Sequence, residues 1–373
     1  MKLFINISNL VMGGSIQVAH SFLFELKKIN SSNKYLICTN KSTLKSFDKS
    51  SFTENFKFST INSSPVKVLS RIRILNELNR IESDFNPDIV FTLFGPSYWI
   101  PKSKHICGFA DGWVYNPDSI VYSRLNFLSR VKRKLLNKYK IYRLKKESSH
   151  FILETEDAKN RFSKYLNLNS SKISVVSNTY NSVFNKKNYH KKTPSIFKNN
   201  SFKLITISSY YTHKNLEIIN NLIKVIPKEY DIKFYLTIEQ SVFLKKFKKN
   251  CRIINLGPQK IENCPELYFH CDVVFLPTLL ETFSASYLEA MKMNKPILTS
   301  DLPFSRDLCK SSAEYFNPLD PNDISKKIIN LYSDDNRYNS LVELGKKRLQ
   351  TFPSSRQRAI KYLEICSKQI NKD

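Results

Sequence analysis

The chain has 373 residues, 41% of them hydrophobic, and a formal net charge of +27. That length accommodates two domains with proper cores, no apolar run approaches the roughly eighteen residues that span a bilayer, and the charge points to acidic partners: nucleic acid, anionic lipid or phosphate-bearing substrates. Seven scattered cysteines without a C-x-x-C pair, and six histidines that do not cluster, argue against a disulfide framework or a metal site and for a reducing cytoplasm.

In chain order, Leu3 to Ile7 reads as a buried strand, and MKLFINIS shows no export signal. The loop from Ser8 to Ser15 contains Gly13 and Gly14. A helix from about Ile16 to Ile29 follows, with Val18, Phe22 and Leu26 on one face. Strand, glycine turn and helix form a phosphate-binding layout, although G-x-G-x-x-G is absent. Strands are expected at Tyr35–Cys38 and Ile89–Leu93, with a basic amphipathic helix over Leu69–Phe85. The segment Lys104–Phe109 opens into the loop Ala110-Asp111-Gly112-Trp113.

Between Arg124 and Lys146 lie ten Lys or Arg and no acid, with Leu128, Val131, Leu135 and Tyr142 in a helical stripe. Two readings stay open. One is a packed helix with a solvated basic face. The other is a surface that docks on anionic lipid through Arg130, Lys132, Arg133 and Lys134. No helix-turn-helix, RRM or KH motif is present, so nucleic acid is not expected as a partner. Strands at Ser149–Leu153 and Ile173–Val176 complete an N-terminal domain of residues 1–184. The charged, aperiodic stretch 185–200 reads as a linker.

The alternation of strands and helices restarts at Phe202–Ser208, opening a second domain over 201–353. Lys214 lies just past that strand, where an ammonium can pair with a phosphate. Further strands are expected at Ile232–Thr237 and Arg252–Leu256, the latter leading into Gly257. The stretch from Cys271 to Ser300 organises the chain: a buried strand over Asp272–Pro277, a polar loop, a helix over Ser284–Met293, and a parallel strand at Ile297–Thr299. In such βαβ units ligands bind outside the carboxyl ends of the strands. Glu281 sits at the loop mouth and Glu289 eight residues later, roughly 12 Å along a helix. A glycosidase pair needs roughly 5–9.5 Å, so this separation suits the two ends of an extended ligand. Between them the first N–H groups of the helix, near Ser284 to Tyr287, favour a phosphate. A nucleotide-sugar has that shape.

The run ETFSASYLEAM resembles the E-x7-E signature of the retaining family 4 glycosyltransferases. FLPT before it, KPILTSDLPFSRDLC after it and AEYFNPLDPNDI beyond match in the same order. The resemblance implies an α/β fold of the GT-B type: two Rossmann-like domains facing a central cleft, with a final helix in residues 354–373 crossing back to the first domain. It implies that Glu281 orients the hexose hydroxyls and Glu289 the ribose hydroxyls. Lys214 in HKNL and the Gly13-Gly14 loop would face the donor diphosphate, with Phe283, Ser284, Ser286 and Tyr287 also on the donor and Gly257 near the base. Asp111 would lie on the acceptor side. The chain departs from the family at Ser209, Ala110, Thr282 and Ser177, where arginine, histidine, glycine and proline are usual. Either Lys214 alone then carries the charge, or Arg252 or another cation compensates for the missing arginine.

The expected activity is therefore retaining hexosyl transfer from a nucleotide-sugar co-substrate to a glycan acceptor, lipid-linked, in bacterial surface polysaccharide such as O-antigen or capsule. No two aspartates stand two positions apart, so the D-x-D metal motif is missing, and neither metal nor cofactor is expected. Front-side displacement is implied, with closure of the domains about the linker excluding water. The expected location is the cytoplasm, peripheral to the anionic inner face of the plasma membrane. Two alternatives remain: a nucleotide-sugar epimerase of the same architecture, and a catalytically dead basic protein that binds membrane or nucleic acid.

Overall fold

The structure is a computed structural model that describes residues 1–11, 13–29, 32–44, 47–66, 71–186 and 194–371. The first sheet contains β1 (Lys2–Asn6), β2 (Lys34–Asn40), β3 (Phe56–Ile61), β4 (Ile89–Thr92), β5 (His105–Gly108), β6 (His150–Leu153) and β7 (Ile173–Val175), in the order β3-β2-β1-β4-β5-β6-β7. The second contains β8 (Phe202–Thr206), β9 (Ile232–Leu236), β10 (Ile253–Asn255), β11 (Val273–Leu276), β12 (Ile297–Ser300) and β13 (Glu314–Phe316), in the order β10-β9-β8-β11-β12-β13. Every strand pairing is parallel. Both orders are Rossmann-like, reversing direction between β1 and β4 and again between β8 and β11.

The near-continuous apolar runs follow from burial on both faces. In the second sheet, Ile205, Tyr235, Val274, Leu276 and Ile297 enter one core, while Leu204, Phe234, Val273, Phe275 and Leu298 enter the core on the opposite face. Leu3, Ile5, Ile37 and Phe91 against Phe4, Leu36, Cys38 and Val90 divide the first sheet in the same way.

Two compact units result. One comprises Met1–Pro117, Phe127–Asn178 and Pro353–Asp373; the other comprises Asp118–Asn126 and Thr179–Phe352. The helix Ser355–Ile370 starts on a capping box, Ser354 with Gln357, and belongs to the first unit. There it packs on the helix Gly14–Lys28, and Tyr362 meets Phe22 and Phe91 at ring separations of 5.2 Å each. The return of the final helix to the first unit is as expected.

The structure departs from the sequence reading at β3 and at Arg124. β3 was not anticipated, because this edge strand is only half buried and carries Lys, Ser and Thr. In the expected linker Phe197 is buried in the core of the second unit, as is Phe184 just before it. Part of the linker, residues 187–193, lies outside the described residues, as do Leu69 and Ser70 of the expected helix, which is described as Arg71–Phe85. Arg124 is not part of the basic helix either. It ends a 3-10 turn, Ile120–Arg124, that belongs to the second unit, and the helix runs from Phe127 to Glu147.

Candidate active site

The order of the second sheet brings its functional side chains together. β8 and β11 are neighbours, with Leu204 opposite Val273 and Ile205 opposite Val274, so the loops leaving their carboxyl ends emerge side by side at the switch point. Lys214 closes a 3-10 turn, Thr212–Lys214, on the first loop. Glu281 stands on the second. The Lys214 Nζ donates to Glu281 Oε1, and the two side chains are only 17% and 12% exposed. Backbone contacts stitch the loops: Leu279 N donates to His213 O at 2.7 Å, and Thr278 Oγ1 lies 3.1 Å from His213 O and 3.3 Å from Glu281 Oε1. Asn215 follows Lys214 in the left-handed region, φ 54°. Its Nδ2 donates to Pro318 O, and its Oδ1 accepts from Arg124 Nη2, each at 2.9 Å.

Beside Glu281 the helix Ala285–Lys292 begins. Ser284 caps it in extended conformation without a side-chain hydrogen bond, and its first turn contains no acid. Its leading amides are therefore left for an anion. Ser284 itself is buried, while Phe283 and Ser286 are half-buried. The ring of Phe283 meets Phe352 edge-on at 6.3 Å. The side chain of Tyr287 is turned away from solvent. It is fully buried with its hydroxyl 2.9 Å from Thr299 Oγ1, and the Tyr287 amide donates to Ser284 O at 3.3 Å. The side chain packs in the core of the second unit, because one helical turn past the cap it already points into the sheet.

Glu289 lies on the same helix and is 8% exposed. Its Oε2 accepts from the Tyr268 hydroxyl at 2.9 Å. Burial pushes its carboxyl up to about 7, and the Tyr268 hydrogen bond only partly opposes that shift. The two glutamates thus occupy different environments, one in an ion pair at a loop and one enclosed beneath a tyrosine. Ser208 Oγ, just past β8, is buried without a partner among the described residues. Gly257 follows β10 at φ 70°, with open space where a Cβ would stand.

Arg252, considered above as a compensating cation, is occupied elsewhere. It donates to the carbonyls of Ile226, Pro227, Lys228 and Tyr230, each at 3.2 Å. Thr278, Tyr268, Asn215 and Arg124 were not found from sequence. Only Asn215 left a signal, since asparagine beside Lys214 suits a left-handed turn.

In the first unit, Gly13 (φ 80°) precedes the helix Gly14–Lys28, whose first turn has no acid and whose start has no side-chain cap. Neither Gly13 nor Gly14 has a heavy atom within 4 Å of a built Cβ. Both oxygens of Asp111 are engaged. One accepts from Trp113 N at 3.2 Å and the other pairs with Lys140 at 2.5 Å. Asp111 therefore caps the helix Gly112–Tyr115 as well as facing a cation.

The basic helix Phe127–Glu147 is anchored near its C-terminal end, where Leu144 is buried and Glu147 accepts from Ser97 N at 2.8 Å and Tyr98 N at 3.1 Å. Its beginning is open. Phe127, Leu128 and Leu135 are 76%, 77% and 63% exposed, beside exposed Arg130, Lys132 and Lys134. The apolar stripe of this half meets no core among the described residues. Arg133 differs from its neighbours, its guanidinium lying 4.7 Å from the centre of the Trp113 ring. Among the described residues, no helix is long and apolar enough to cross a membrane.

Comparison with known proteins agrees with this architecture. Residues 187–348 match the family model "Glycosyl transferases group 1". A stretch of 224 residues is 26% identical to the O-antigen chain mannosyltransferase RfbU of Salmonella typhimurium, covering 58% of this chain and 57% of that protein. Among solved structures, a glycosyltransferase from Rickettsia africae superposes with a TM-score of 0.73 at 16% identity, covering 100% of this chain and 99% of the other. Anabaena HepE in complex with UDP-glucose also gives 0.73, at 12% identity, covering 99% and 100%. Residues 187–348 thus match the glycosyl transferases group 1 family, and the chain has the GT-B fold.

Proposed function

We propose that this chain transfers a hexosyl group from a nucleotide-sugar to a glycan acceptor, lipid-linked, in bacterial surface polysaccharide synthesis, with retention of configuration and without a metal. The observation that carries this reading is the Lys214–Glu281 pair, set beside an uncapped helix start at the switch point of the second sheet. An anion and a polyol can be held there together.

In this mechanism the diphosphate lies against the amides at the start of the helix Ala285–Lys292, and Lys214 turns to it. As the glycosidic bond breaks, negative charge grows on the β-phosphate. Fixed donors at that point stabilise the transition state more than the bound donor. Glu281, freed from the ammonium, accepts from hexose hydroxyls. Glu289 accepts from the ribose hydroxyls at the other end of the helix. The acceptor hydroxyl attacks from the face the leaving phosphate occupies, and that phosphate takes its proton. The similarity to RfbU supports an O-antigen-type product, and HepE bound to UDP-glucose supports a nucleotide-sugar donor. The exposed apolar and basic start of the helix Phe127–Glu147 supports peripheral contact with an anionic inner membrane surface.

A thermal-shift panel of UDP-, GDP- and ADP-sugars tests the donor, since a true donor raises the melting temperature. Radiolabelled transfer with and without lipid-linked acceptor, NMR of the product anomer, and turnover in EDTA test the rest. Conversion of the donor to its epimer without an acceptor would establish the epimerase instead.

A further inference from the structure

We infer that Arg124 is a second cation of the donor-diphosphate site, acting beside Lys214; the inference rests on the transferase reading above. A diphosphate linkage is polyanionic, yet the ammonium of Lys214 already faces the carboxylate of Glu281, so that pair brings no net charge. The other cations around these strand ends are matched as well. Arg306 binds both oxygens of Asp301 at 2.6 and 2.8 Å. Lys327 and Arg337 share Glu314 at 2.8 and 2.6 Å. Arg124 is different. Its partner is a neutral amide oxygen, Asn215 Oδ1, and it makes no ion pair among the described residues. One of its five N–H donors is used there, which leaves a planar fork suited to phosphate oxygens.

Its placement is set from both loops of the site. Arg124 ends the turn Ile120–Arg124, in which Val121 is fully buried. At the start of that turn, Ser119 Oγ donates to the carbonyl of Leu279, two residues before Glu281, at 3.4 Å. At its end the guanidinium reaches the residue after Lys214. The Asn215 amide is itself fixed by Pro318 O at 2.9 Å, which holds Oδ1 toward Arg124. The turn thus delivers an unneutralised guanidinium next to the phosphate-facing lysine. It comes from a segment that the sequence reading had assigned to the basic helix.

The test uses the full chain and, as probe, whichever of UDP, GDP and ADP binds it most tightly by calorimetry at low ionic strength. Arg124 is exposed, so Arg124→Gln leaves the melting temperature of the free protein unchanged. Losing one charge-assisted contact weakens the probe by about tenfold, flattens the dependence of affinity on salt, and does so equally on a Lys214→Ala background. Affinity within about twofold of wild type, or a loss seen only while Lys214 is present, overturns the inference, the latter by reducing Arg124 to a support for the lysine loop. If Lys214→Ala weakens the probe while Arg124→Gln does not, the transferase reading stands and this inference alone falls. If the wild type binds none of the three nucleotides or their sugars, both fall.

Discussion

Lys214 donates to Glu281 across a sequence separation of 67 residues, joining the loop after β8 to the loop after β11. Neither side chain is fixed by its own loop alone. Each holds the other in a partly buried position. Pairing of this kind also keeps Glu281 from being stranded without a cation in a poorly solvated place.

Replacing either member should therefore separate chemistry from folding. In Lys214→Ala and Glu281→Ala we expect turnover to fall by about 10²–10³, with stability lowered by only about 1–2 kcal/mol. Steady-state transfer assays alongside thermal melts decide it. Wild-type turnover in either variant removes that residue from the mechanism.

Glu289 should impose a pH dependence whose sign follows from its burial. Its carboxyl titrates near 7 in the folded chain and near about 4.3 when unfolded. Between those values the folded state binds the extra proton, so stability falls as pH rises, by about 4 kcal/mol at most. Denaturant melts from pH 4 to 8 should show this slope in the wild type, and Glu289→Gln should flatten it. Ribose hydroxyls that donate to this carboxyl would favour its ionised form. Nucleotide affinity should then rise through neutrality with release of a proton, measurable as a buffer-dependent binding heat.

Tyr287→Phe distinguishes a packing residue from a donor ligand. The hydroxyl contacts Thr299 Oγ1 and the ring is fully buried. Removing the hydroxyl should cost about 1 kcal/mol of stability and leave nucleotide affinity unchanged. A selective loss of affinity in calorimetry would place Tyr287 at the donor site.

The exposed start of the basic helix should bind anionic vesicles through both charge and apolar contact. Replacing Lys132 and Lys134 with Gln should weaken co-sedimentation by about 2 kcal/mol in total, at about 1 kcal/mol per charge. Replacing Phe127 and Leu128 with Ser should weaken it further at high salt, where the charge term is screened. Co-sedimentation that is unchanged in both variants would leave this surface without a membrane role.

Much of the fold was legible because parallel strands buried on both faces produce apolar runs that need no partner to be recognised. β1, β4, β8, β11 and β12 all announce themselves this way. β3 does not, since an edge strand that is half exposed reads like any mixed segment. In the expected linker, lysines and asparagines dominate the local composition, and the burial of Phe197 could not be read from them.

For the site, Lys214, Glu281 and Glu289 could be named from their positions past strand ends and from the E-x7-E run. Their surroundings could not. Tyr268 enclosing Glu289, Thr278 bridging two loops, and Arg124 reaching Asn215 are meetings of residues from separate segments.

By itself the chain's order of residues determined the α/β class, the two-domain division and the residues that carry charge at the strand ends, because periodicity, strand-end position and local motif are all short-range properties. Tertiary structure alone decided that Tyr287 faces the core, that Asp111 is already engaged and that Arg124 stands beside the lysine loop. Those outcomes depend on strand order and side-chain burial, which arise only when distant segments pack.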